Sequence, residues 1–426
     1  MESITMLSGT VSSSQCAIFA FDVSKDTLNV FSRIGKKTIE RSFRNRTGVV
    51  ETQLTAMTQL AKASGAEKIL VVAESTGNFH DILMRAARRV GLETAWVSGE
   101  AVAKMRVIET NDTGKTDIKD PHVIHSLASI GKTLIHRDLE EPYSLLRQWK
   151  SIYDAAEVKA VEAKCAISSQ LYNLFPDFGF TTDFLYSDSG AALMQEFGGN
   201  PYRIVATGLS RFSEAMKKAA PRIRQASITQ LFEQAHASAK NNLPLRHTEL
   251  LGLRLRQLWA ELQLHDFRKQ EATEAMEQLY EEARKKDRRL PKGQKGVITN
   301  FHLARIIAET GPLSDFESWR KLMRFAGLNL RERQSGKYRG KTRIAKKGRS
   351  GLRKILGQVV LPLVRHTGLF GEYYHRRKEE TKMPGTKLMT IVMRKFLKML
   401  FGWYRSGGEF QVNRIFACES RYRMAA

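Results

Sequence analysis

Four carboxylates fall where a chain could gather them into one site: Asp22, Glu74, Asp117 and Asp120. Asp22 closes the apolar run CAIFAFDV (Cys16 to Val23), and Glu74 follows the apolar run KILVVA (Lys68 to Ala73); each run reads as a buried strand. Acids at strand C-termini of an α/β sheet are well placed for a site, because neighbouring strand ends bring them together. Asp117 and Asp120 are spaced to share one helix face. Alternatively, Asp120-Pro121 is itself a cap and first-turn pair, which starts the helix at Asp120 and leaves Asp117 in the preceding loop. Both readings put two carboxylates near one helix N-terminus. An all-oxygen set of this kind suits a hard divalent cation, Mg²⁺ or Mn²⁺, acting on a phosphodiester. A lone acid at a strand end is more often a turn or cap residue, so the set carries the reading. Glu67, Asp81 and Asp112 lack such placement and read as surface. His122 and His125 share a helix face too, but no second pair of soft ligands accompanies them.

A second constellation is RERQSGKYRGKTRIAKKGRS, Arg331 to Ser350, which sets nine Lys and Arg against the single acid Glu332. The cations Arg331, Arg333, Lys337, Arg339, Lys341, Arg343, Lys346 and Lys347 are candidates for contact with a nucleic-acid backbone. At the centre lies Ser335-Gly336. The serine has two readings: a turn residue bonded to backbone, or a nucleophile whose attack on phosphorus is helped by surrounding cations. The plain alternative for the whole stretch is a solvated basic surface loop.

The rest of the chain must position these groups. Its 426 residues suffice for two or three domains with real cores. A net charge of +25, from 69 basic and 44 acidic residues, points to a polyanionic partner and away from small-metabolite chemistry. Three scattered cysteines, Cys16, Cys165 and Cys418, give neither a disulfide framework nor zinc spacing, as expected of a cytoplasmic protein. No secretory signal is visible at the N-terminus. Leu388 to Tyr404 is interrupted by Arg394, Lys395 and Lys398 and reads as an amphipathic helix, with no membrane partner.

Residues 14–135 alternate strand and helix patterns and form an α/β domain. Residues 136–288 are helical. In the first long helix, Tyr143 to Leu174, a coiled-coil-like seam runs through Leu145, Trp149, Ile152, Ala156, Ala163, Ile167, Leu171 and Leu174. The second, about His247 to Lys286, carries Leu251, Leu255, Leu258, Leu262, Ala272, Met276 and Leu279 on one face. An antiparallel intrachain hairpin and an interchain dimer arm both fit, and a role in dimerisation is expected. Residues 289–426 are mainly helical: Val297 to Thr310, a helix capped by Ser314 and running through Phe325, and two apolar-striped helices at Gly351 to Val364 and Lys387 to Trp403.

Several motifs resemble the insertion-sequence one-ten family of transposases. They are FDVSKD around Asp22, AESTG around Glu74, KTDIKD ending at Asp120, ETGPLSDF at Glu309 to Phe316, FAGL at Phe325 to Leu328, RERQSGK at Arg331 to Lys337 and KKGRSGLR at Lys346 to Arg353. The resemblance covers nearly the whole length. It implies an N-terminal ribonuclease-H-like (Holliday-junction-resolvase-like) domain, a long coiled-coil middle and a C-terminal transposase domain. It further implies that Asp22, Glu74, Asp117 and Asp120 bind Mg²⁺ or Mn²⁺. Ser335 would join covalently to a DNA 5′ phosphate and free a 3′ hydroxyl. The expected partners are donor and target DNA, a structured bridge RNA that pairs with both, and further copies of the chain. Acids of one protomer would complete the site around another's serine, in a dimer or a tetramer.

Three departures stand out. Pro121 replaces the family's usual Ala. The glycine-bracketed hairpin that opens the transposase domain falls on Val297-Ile298-Thr299 or is displaced to Gly293–Gly296. The segment from Asp177 to Leu245 is long. The rival readings are a metal-dependent junction-resolving nuclease, with Ser335 a turn residue, and a non-enzymatic nucleic-acid-binding protein.

Overall fold

Alternating side chains on three short strands open the structure, a computed structural model that describes residues 16–35, 37–74, 77–110, 119–332, 334–335, 338–340, 342–407 and 410. Strands β1 (Cys16–Val23), β2 (Thr27–Ile34) and β3 (Lys37–Arg44) form an antiparallel meander. Helix α1 (Thr47–Ala63) supplies the crossover that a parallel return requires, and β4 (Lys68–Glu74) pairs parallel to β1. Helix α2 (Asp81–Arg89), β5 (Glu93–Val97), α3 (Gly99–Thr110), α4 (Lys119–Ser129) and β6 (Leu134–Ile135) follow. The strands make one six-stranded sheet, β3-β2-β1-β4-β5-β6.

The sheet has two apolar faces because β1 and β4 are apolar on both sides. Phe19, Phe21, Val71 and Ala73 pack with Leu54 and Met57 of α1 and Leu83 and Met84 of α2. On the other face Ile18, Ala20, Leu70 and Val72 pack with Val102 of α3 and Val123, Ile124 and Leu127 of α4. This covering on both sides explains why the two strands read as continuous apolar runs.

The chain divides into two compact units, Met1–Leu139 with Ser314–Leu322, and Glu140–Leu313 with Met323–Ala426. Within the first, Arg137 pairs with Asp315 and its guanidinium lies 5.7 Å from the centre of the Phe316 ring.

In the second unit, α5 (Tyr143–Leu174) passes an insert of α6 (Thr182–Leu185), α7 (Asp188–Phe197), α8 (Pro201–Thr207), α9 (Leu209–Ala219) and α10 (Gln225–Ala239) before α11 (Leu245–Lys286). α5 and α11 run antiparallel within one chain: Lys286 Nζ reaches Glu141 O at 2.9 Å at one end, and Leu171 and Leu255 share a core near the other. The insert has its own caps. Asn200 Oδ1 accepts from Tyr202 N at 2.9 Å, with Pro201 in the first helical position.

The expected seam of α5 holds from Ala156 onward but is misplaced by one residue before it. Leu146, Lys150 and Tyr153 are buried where Leu145, Trp149 and Ile152 were expected, and Ile152 is 44% exposed. A buried Lys150 breaks the apolar pattern, because its ammonium is neutralised by Asp154 and by Glu309, 2.7 Å away. On α11 the buried positions include Gly252, Trp259 and Tyr280, each one residue beyond the expected Leu251, Leu258 and Leu279.

The C-terminal elements are α12 (Asn300–Thr310), α13 (Trp319–Phe325), β7 (Leu330–Arg331), β8 (Gln334–Ser335), β9 (Tyr338–Arg339), β10 (Arg343–Ile344), α14 (Ser350–Leu363), α15 (Gly371–Thr381) and α16 (Gly385–Ser406). Two expectations change here. Val297 does not start a helix; α12 begins at Asn300, with the Thr299 hydroxyl accepting from His302 N at 3.3 Å. Ser314 lies in a 3-10 turn, Leu313–Asp315, and the next helix starts only at Trp319. No helix among the described residues is long and apolar enough to cross a membrane.

Candidate functional site: acids on a sheet face and a basic ribbon

In the parallel ladder of β1 and β4, Phe21 pairs with Ala73, so Asp22 and Glu74 are the next step of the same register. Paired residues on neighbouring strands point to one side, and alternation puts this pair on the face of Ala20 and Val72. That is the face covered by α3 and α4. Asp120 lies in the first turn of α4, which starts by Lys119 rather than at Asp120 itself. Three of the four expected acids therefore come from elements of one sheet face. Asp117 lies outside the described residues.

Three further residues, not singled out in the sequence, hold this arrangement. Gly99, the first residue of α3, lies against Glu74: a Cβ there would be 2.5 Å from Glu74 Oε1. The missing side chain makes room for the carboxylate. Buried Asn45 donates from Nδ2 to Ser24 O and to Phe79 O, both at 2.9 Å, tying together the segments that follow Asp22 and Glu74. Arg106 of α3 reaches Asp120 Oδ1 with Nε at 3.1 Å and Nη2 at 2.6 Å, and Asp120 is only 2% exposed. A buried carboxylate requires such a partner, which a search for acids alone overlooks.

Among the described residues, no three of His, Cys, Asp and Glu group closely enough to hold a metal ion. The donor chemistry nevertheless fits a hard cation, since the acids offer only oxygen and Gly99 keeps the Glu74 carboxylate clear of an opposing side chain. His122 and His125 do not join them. His122 stacks on Phe31 at 3.7 Å between ring centres and lies 3.4 Å from Glu40, while His125 meets Phe31 edge-on at 5.1 Å. Burial, then the charges of Arg33 and His122, lower the His125 pKa to about 4.

The basic stretch is not the open loop expected from its composition. β7 pairs antiparallel with β10, through Leu330–Ile344 and Arg331–Arg343, and β8 pairs antiparallel with β9, through Gln334–Arg339 and Ser335–Tyr338. The result is a two-stage ribbon with Ser335 at the last pair of its outer ladder. Arg331, Arg343, Lys346 and Lys347 are exposed. Arg333, Lys337 and Lys341 lie outside the described residues, and for Ser335 and Arg339 the backbone alone is described.

The base of the ribbon is pinned by the two glycine-bearing motifs that flank it. Lys346 N donates to Gly327 O at 3.0 Å, and Arg349 N donates to Phe325 O at 2.9 Å. Gly327 has φ +68°, and a Cβ at Gly348 would fall 2.4 Å from Phe325 O, so each position excludes a side chain. Arg353 Nη1 donates to Ala326 O at 3.0 Å and Gly348 O at 3.2 Å, joining the two strands of chain. Glu309 presses on the start of α14, where a Cβ at Gly351 would meet Glu309 Oε1 at 2.1 Å. The FAGL, KKGRSGLR and ETGPLSDF motifs thus meet in one support. The glycine-bracketed hairpin lies just upstream: Gln294 N donates to Ile298 O at 2.8 Å, with Gly296 at φ +77°.

The transposase IS116/IS110/IS902 family model matches residues 297–375, which contain the ribbon and its support. A transposase model of the DEDD type, from the same insertion-sequence group, matches residues 19–176, which contain all four acids and α5. The two stretches together make up more than half of the chain. The chain belongs to the IS116/IS110/IS902 transposase family. No curated protein matches it. A transposase of this family, which serves insertion sequences, binds, cuts and joins DNA. In this transposase the acids and the ribbon fall in different matched stretches.

Proposed function

We propose that this transposase is an RNA-guided recombinase that cuts and rejoins DNA through a covalent intermediate on Ser335. The observation that carries the reading is the ribbon: the backbone of Ser335 ends a ladder, on a base fixed by Gly327, Gly348 and Arg353, in a stretch whose sequence carries nine Lys and Arg. A nucleophile gains from a fixed approach, and cations beside the phosphate stabilise the charge that develops there. In the step, Ser335 Oγ bonds to phosphorus, the bond to the 3′ oxygen breaks, and the serine proton ends on that 3′ hydroxyl. Rejoining is the reverse, with a 3′ hydroxyl displacing the serine, so no water or nucleotide is consumed.

Asp22, Glu74, Asp117 and Asp120 would hold a divalent cation, which when bound would polarise the phosphodiester. The sheet order, with an antiparallel β1 to β3 followed by parallel β4 and β5, supports a ribonuclease-H-like reading of this unit. A structured RNA would choose the sites by pairing with donor and target DNA, leaving the protein to grip backbones, which the net charge of +25 suits. The antiparallel pair α5 and α11 would serve dimerisation, and further assembly would bring acids and serine of different copies to one phosphate.

The test is incubation with guide RNA, Mg²⁺ and cognate DNA, followed by denaturing gels. A covalent protein–DNA band that disappears in Ser335→Ala is the expected result. Asp22→Asn and Glu74→Gln are expected to abolish cleavage and keep RNA binding. Cleavage without an adduct, indifferent to Ser335→Ala, would replace this reading with a junction-resolving nuclease. No cleavage with any guide would leave a binding protein.

A further inference from the structure

A groove of about 930 Å³ runs between the stem of the ribbon and the first half of α16. Five cations line it: Arg331 and Arg343 from the paired stem strands, Lys346 just after them, and Lys387 and Arg394 from α16. No Asp or Glu is among the described residues that line it, so none of those residues offsets that charge. Thr386, Thr390 and Arg394 follow one another at helical spacing and share one face of α16.

Two details point to an absent ligand. The Nε of Arg394 is buried and has no hydrogen-bond partner among the described residues, a cost that a bound acceptor would remove. Lys346 adopts φ +56°, a left-handed backbone that penalises a side chain by about 1 kcal/mol, yet it carries a lysine into the groove. α16 lies wholly beyond the matched transposase segment, which ends at residue 375.

We infer that this groove holds the phosphodiester backbone of the DNA strand that leads to the nucleophile, an inference that rests on Ser335 being that nucleophile. Continuity favours DNA as the occupant. The groove is walled by β7 and β10, the stem of the same ribbon that carries Ser335, so a strand bound here runs along the ribbon. Arg and Lys provide both charge and N–H donors for phosphate oxygens without reading bases. α16 thereby becomes a positioning element for the cut.

The experiment measures binding of the full chain to a labelled single-stranded DNA of mixed sequence, and to the same sequence as RNA, across a salt series. Lys387→Gln is expected to flatten the slope of log affinity against log salt for DNA by about 0.7, and Lys387→Gln with Arg394→Gln by about 1.4. Lys217→Gln with Lys218→Gln, on α9 and away from the groove, is the charge-matched control and is expected to leave the slope unchanged. An unchanged slope in Lys387→Gln overturns the inference, and so does an equal change in the control pair. A slope change confined to RNA overturns the assignment to DNA. Ser335→Ala is expected to bind as the parent does. If the parent forms no covalent adduct while the groove variants still weaken DNA binding, the serine reading fails and the groove stands.

Discussion

The acids and the ribbon hold functional groups in opposite ways. Asp22, Glu74 and Asp120 sit on the rim of a sheet whose two faces are filled with apolar side chains, and they borrow their rigidity from that core. Asp120 is buried and ion-paired, and Glu74 fits against a bare Gly99. The ribbon has strands of two residues each, too short to enclose a core of their own. Its rigidity comes from the support beneath it, where Gly327, Gly348, Arg353 and Glu309 interlock. A polar group can be fixed by a core around it or by a clamp at its base, and the two fail differently.

Breaking the clamp from below has the largest expected effect. Lys150→Ala would remove the buried ammonium shared by Glu309 and Asp154, leaving them only Arg349 at 3.7 Å and Arg305 at 3.4 Å, and a loss of about 3 kcal/mol in chemical denaturation is expected. Arg106→Ala makes the matching cut in the acid region, leaving Asp120 buried without its guanidinium. The expected loss is about 2–3 kcal/mol by the same measurement. Gly348→Ala tests the clamp without touching a charge. Its Cβ would strike Phe325 O, so either the ribbon base shifts or the variant loses about 1–3 kcal/mol. Protection of the Lys346 and Arg349 amides against hydrogen exchange would report which.

The smallest effect belongs to the sheet alone. The half-buried His125 has a pKa of about 4 when folded, against 6.5 for an ordinary histidine. The unfolded chain therefore binds more protons between those values, and stability falls as pH drops through that window. Comparing parent and His125→Gln from pH 7 to pH 4 should reveal a pH-dependent difference of up to about 2 kcal/mol, allowing for the partial exposure of the ring.

Where apolar pattern dominates, the sequence was readable. CAIFAFDV and KILVVA declared two buried strands and the acids that end them, and both long helices ran close to their expected limits. Charge placed in the interior was not readable. Lys150 looks like surface in a helix pattern, so over the first third of α5 the apolar periodicity points to a seam one residue early. Arg106 and Asn45 act through partners distant in sequence, and nothing local marks them. The ribbon was invisible for another reason: two-residue strands are too short to show a period of two, and their composition is that of a loop.

Residues 314–322 carry a consequence for how the protein is made. They belong to the same compact unit as the N-terminal sheet, where Phe316 is 1% exposed and Asp315 pairs with Arg137. A ribosome releases them only after the whole of α5, the insert, α11 and α12. Until then the unit that bears the acids lacks one of its segments, and a fragment stopped at Leu139 would lack it permanently. Completion of the unit that bears the acids is thereby deferred until three-quarters of the chain has emerged, about the moment when the strand of chain bearing Ser335 begins to leave the tunnel.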